Sequence, residues 1–143
     1  LTDILLPAEP MAEQTIKELK LKPAHKAVQY LQTVLADTQK IILLDSYLDM
    51  NGNNIQANAA SDLKHTLFKQ ILDNTKLAVS NNNSHIHSSE RLVIVKTLQS
   101  SLDDAIKHFE PNHLSEYKSE LAKVTDSMKS QFNMLNRGRR YGY

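Results

Sequence analysis

Histidine is the side chain best suited to chemistry near neutral pH, and in HIHSSE two of the six histidines, His85 and His87, stand close to the carboxylate of Glu90. These are metal-ligand types, and a loop can bring them together. A metal, however, needs three or four converging donors. No other segment carries a matching His pair. Ser88 or Ser89 followed by Glu90 also reads as a helix start, with a hydroxyl cap and an acid in the first turn. The helix start is the reading kept, and no metal or cofactor is expected.

Other constellations meet the same objection. In DMNGNN the oxygens of Asp49, Asn51 and Asn53 alternate as they would in a calcium loop. An EF-hand also needs Gly at its sixth position and Glu at its twelfth, where this chain has Asn54 and Ala60. The stretch reads as a loop ending a helix, with Gly52 as the stop. A di-iron bundle needs Glu-x-x-His on two helices. The one instance here, Glu110 to His113, straddles Pro111 in a connection. Asp103 or Asp104 with His108, and Asp45 with Asp49, have acid–base character, yet catalysis also needs a pocket and a nucleophile or substrate handle. No Gly-rich phosphate loop, Gly-x-Ser-x-Gly or His-Glu-x-x-His is present. These charges read as solvated helix faces, and the chain is expected not to be an enzyme. Asn82-Asn83-Ser84 matches a glycosylation sequon and reads as loop.

The ending NRGRRYGY is the one strongly biased stretch. The chain holds 17 Lys and Arg against 16 Asp and Glu; with Arg137, Arg139 and Arg140 set aside, residues 1–136 hold 14 against 16. The body is therefore close to neutral, without the broad basic balance of a protein that binds nucleic acid over its whole surface. Arginine contacts phosphate and tyrosine stacks on bases, so Arg137, Arg139, Arg140, Tyr141 and Tyr143 suit RNA, single-stranded DNA or an anionic membrane surface. Arg137 to Arg140 also fits the R-x-[KR]-R pattern cut by subtilisin-like proteases, and short basic C-terminal stretches resemble export signals of translocated bacterial proteins. The plain alternative is a flexible solubilising terminus over 137–143.

Something must position these residues, and composition says helices. Three glycines and four prolines are few for a turn-rich β protein. The absence of cysteine removes disulfides and thiol chemistry. No apolar run approaches the ~20 residues of a membrane span, and no leader is visible at LTDILLPAEP. The Leu at the first position suggests a processed chain or a piece of a longer one. The compartment stays open between cytoplasm and translocation into a host cell.

Apolar spacing at i, i+3, i+4 and i+7 predicts a short helix over about 11–20 and long helices over about 23–48, 56–80, 88–109 and 112–135. Pro23 is suited to the first turn of the second helix, and Glu110-Pro111 breaks the fourth. Leu92 to Val95 is β-prone, but the helical period runs on through Phe109. Ile41 to Leu44 is apolar all round and needs covering, for which the N-terminal segment is the candidate. Short connections favour antiparallel neighbours. The expected architecture is all-α, one domain over 1–136: an up-down-up-down four-helix bundle with an extra N-terminal helix. The expected function is a non-catalytic protein–protein interaction module of adaptor, chaperone-like or effector type, with oligomerisation open. The alternative is nucleic-acid binding through the tail.

Overall fold

The computed structural model describes residues 2–51, 57–80 and 86–141, with side chains over 3–48, 57–80 and 86–136. The chain is all-α, with no strand among the described residues. A 3-10 turn over Thr2–Leu5 leads into α1, Ala8–Glu18. Then follow α2, Lys26–Asn51; α3, Ala57–Ser80; and α4, Ser88–Ile106. A short α5, Pro111–Leu114, and a 3-10 turn, Ser115–Tyr117, precede α6, Lys118–Tyr141.

Proline placement explains the first departures from the expected spans. α1 begins three residues early because Pro7 is its N-cap and Pro10 lies in its first turn, where backbone N–H groups have no intrahelical partner anyway. Pro23 instead sits in a turn ahead of α2, closed by His25 N–H donating to the Lys22 carbonyl. α4 stops at Ile106 because Glu110, preceding Pro111, is extended with ψ 145°. The bonds of Lys107, His108 and Phe109 tighten the intervening turn. The single helix expected over 112–135 is divided by the 3-10 turn, and its last part continues to Tyr141.

α1 ends in a Schellman turn. Leu21 N–H donates to Ile16 O and Lys20 N–H to Lys17 O, with Lys20 left-handed at φ 58°. Leu21 is buried beside the same core as Ile16. The reversal lays α1 back along α2, with Glu9 reaching Lys40 at 3.3 Å. The N-terminal 3-10 turn also packs on α2, and its Ile4 and Leu5 are partly buried against the core, as the apolar run at Ile41–Leu44 requires.

One cluster of buried residues draws on every long helix, including Leu31, Ile41 and Leu44 of α2, Phe68 and Ile71 of α3, Leu98 of α4 and Met128 of α6. α2 packs on α3 and α4, and α6 packs on α4 and α3, whereas α3 and α4 touch only lightly. The pairs Thr38–Ser101 at 2.8 Å and Asp45–His108 at 2.6 Å advance in the same sense along α2 and along α4 with the turn just after it. α2 and α4 therefore run side by side in one direction, though each also follows a helix running the other way.

Candidate functional site

Two concave features stand out on this frame. The larger is an open groove of about 480 Å³ with three helical walls. Met11, Ala12, Thr15 and Glu18 of α1 form one bank, and Thr97, Ser100 and Asp104 of α4 form the other. Leu35, Thr38 and Ile42 of α2 lie between them, with Ser101. α1 and α4 both pack on α2, so the cleft between them has α2 as its floor. Two of its polar floor groups pair with each other: Ser101 Oγ donates to Thr38 Oγ1 at 2.8 Å, linking α4 to α2. Met11 is 46% exposed on the bank, an adaptable apolar contact of the kind promiscuous binding surfaces use. The charged residues of the lining, Glu18 and Asp104, are both acids.

The second feature is polar, a pocket of about 320 Å³ where α4 ends. Asp45 of α2 holds Lys64 Nζ of α3 on one carboxylate oxygen and His108 Nδ1 on the other, each at 2.6 Å. Lys64 also donates to the His108 carbonyl at 2.6 Å and lies 5.0 Å from the Phe109 ring centroid. The Lys64 donors are thus spent on a freed carbonyl, a carboxylate and a ring, which ties three helices together around a helix end. His65 Nδ1 meets the Tyr117 hydroxyl at 2.8 Å and the Glu116 carboxylate at 3.2 Å, and its ring stacks with Tyr117. Burial, then the neighbouring Glu116, raises the Tyr117 hydroxyl above the ordinary tyrosine range. These groups mostly satisfy one another, so the cluster reads as a brace.

The residues singled out from the sequence fare differently from one another. His87 caps α4, its Nδ1 accepting from Ser89 N–H at 3.2 Å, so the helix start is made by the imidazole itself. His85 and the sequon lie outside the described residues, as do Asn53 and Asn54; the side chains of Asp49 and Asn51 do too. Ala60 is buried on α3. Asp104 pairs weakly with Lys107 at 3.7 Å, and His108 turns to Asp45, away from Asp103 and Asp104. Glu110 and His113 line the rim of the polar pocket. Among the described residues no three His, Cys, Asp or Glu are grouped to hold a metal. Of the tail, Arg137, Arg139, Arg140 and Tyr141 lie on the backbone of α6 with side chains outside the described set, and Tyr143 lies outside it altogether. Among the described residues no helix is long and apolar enough to cross a membrane.

Sequence reasoning missed two buried charges. Asp37, on α2 beneath α1, keeps a side chain only 4% exposed, with Lys40 at 3.7 Å and Oδ2 unpartnered among the described residues. Burial pushes its carboxyl up to about 6; Glu9 adds to this and Lys40 opposes it. Arg91, in the first turn of α4, donates through Nη2 to the Val79 carbonyl at 2.9 Å near the end of α3. Burial lowers its pKa. Its place directly before the apolar run Leu92 to Val95 was the available signal, since a charge adjoining such a run is carried inward with it.

The chain matches no family, no curated protein and no solved structure.

Proposed function

We propose that the chain is a non-catalytic protein-interaction module of adaptor, chaperone-like or effector type. Its four long helices would form an up-down-up-down bundle, and the groove of α1, α2 and α4 would receive a segment of another protein. The groove carries this reading: Leu35 and Ile42 give its floor apolar contact, Thr38 and Ser101 are paired with each other, and one bank offers an exposed methionine. In the polar pocket Asp45, Lys64 and His108 are tied to one another across helices, which favours a bracing role for them over a catalytic one.

The test is affinity capture from nuclease-treated lysate by the chain and by its Met11→Glu and Ser100→Arg variants, which alter exposed bank positions. A saturable protein partner retained by the wild type and lost by both variants is expected. Retention by both variants, or no saturable partner at all, ends the reading.

The second reading, nucleic-acid binding through the C-terminal end, is favoured by one observation. α6 extends through Tyr141, so Arg137, Arg139 and Arg140 are borne on a helix. Cations at a helix C-terminus also complement its dipole, which explains them without a ligand. If the reading holds, binding falls steeply with salt and disappears in a chain cut after Asn136. Equal binding by the truncated chain removes it.

A further inference from the structure

We infer that the guest of the groove is an amphipathic helix with basic residues flanking its apolar stripe, an inference that rests on the groove being the docking surface. Wall geometry argues for a helix. Each wall contributes two turns, Met11–Glu18, Leu35–Ile42 and Thr97–Asp104. Backbone groups in these walls are spent within their own helices, so no strand edge invites an extended peptide. What the walls offer is ridges and a furrow, into which a helix settles at roughly 8–10 Å between axes. Ala12, Thr38 and Ser101 are small and allow close approach, while Leu35 and Ile42 supply apolar contact one heptad apart. A guest meets that surface with anchors at i, i+3 or i+4, and i+7.

Charge argues for a basic guest. Glu18 stands on the α1 bank and Asp104 on the α4 bank, and no basic residue lines the groove among the described residues. Their positions follow from the helix pairings. Glu9 meets Lys40, so α1 runs back toward the start of α2 and carries Glu18 to that end. Ser101 meets Thr38 with α4 parallel to α2, so Asp104 lies toward the other end. The two carboxylates therefore mark opposite banks at opposite ends, roughly 15 Å apart along the groove at 1.5 Å per residue. Lys107 lies 3.7 Å from Asp104 with its side chain 75% exposed, a pairing that yields at little cost. Basic residues on both flanks of the guest, about two to three turns apart, would meet both acids and fix its direction.

Two synthetic helices of about 16 residues with one leucine stripe and either lysine or glutamate flanks test this. The readout is the Met11 methyl resonance of the full chain, titrated with each peptide. The lysine-flanked peptide is expected to shift it and to bind about tenfold tighter than its counterpart. Glu18→Lys with Asp104→Lys should reverse the preference, and Glu18→Gln with Asp104→Asn should erase it; all four changes fall on exposed positions. Equal binding of both peptides at Met11 overturns the inference and leaves the docking reading standing. If neither peptide moves the Met11 signal, the docking reading fails and takes the inference with it.

Discussion

Asp37 shows how a single carboxyl can set a pH dependence. Burial is the main cause of its rise from 3.8 to about 6. The folded chain thus holds this proton more tightly than the unfolded chain does. The stabilisation from that proton is whole below pH 3.8 and is lost as pH rises through about 6. Asp37→Asn removes the titration. Its stability relative to wild type is expected to rise by about 3 kcal/mol at most between about pH 4 and pH 7. Urea unfolding at the two pH values checks this, and a difference independent of pH sinks it. The sequence did not disclose Asp37, because nothing local marks which face of α2 another helix will cover. His108 and Asp45 show the same limit. Each stood out beside an acid on its own helix, and the fold joined them to each other across 63 residues.

At the scale of elements, the helices were legible and their joints less so. Apolar spacing carried the long helices, including Leu92–Val95, of which Leu92, Ile94 and Val95 are buried on α4 in spite of their β propensity. The break at Ser115–Tyr117 was hidden because the apolar rhythm of Leu114, Tyr117 and Leu121 continues through it. What the 3-10 turn serves is tertiary: Tyr117 reaches His65 and sets its ring 5.0 Å from that of Phe68. The turn closing α1 was equally hidden, since its left-handed position is filled by Lys20 rather than glycine. Lys20→Gly is expected to raise stability by about 0.5–1 kcal/mol and Lys20→Val to lower it, because only glycine escapes the Cβ clash there. Denaturant midpoints decide, and a Lys20→Gly chain weaker than wild type refutes the account.

At the scale of the whole molecule, the contiguous core makes α2, α3, α4 and α6 depend on one another. Helical signal and tyrosine environment should therefore be lost together on heating. Phe68, fully buried and 4.9 Å from the Phe109 ring, joins that core to the connector after α4. Phe68→Ala should cost about 3–5 kcal/mol and lower both transitions equally. Separate melting of the α6 region would show that the core is not shared. The side-by-side run of α2 and α4 also bears on how the chain acquires its shape. Their contacts at Thr38–Ser101 and Asp45–His108 each close a 63-residue span, whereas α1 and α3 adjoin α2 along the chain, and Glu9–Lys40 and Asp45–Lys64 close shorter spans of 31 and 19 residues. Local contacts form first because their loops cost less entropy to close. On a growing chain α2 would gain α1 and α3 early, while the flank destined for α4 waited for the residues beyond Ser88 to emerge.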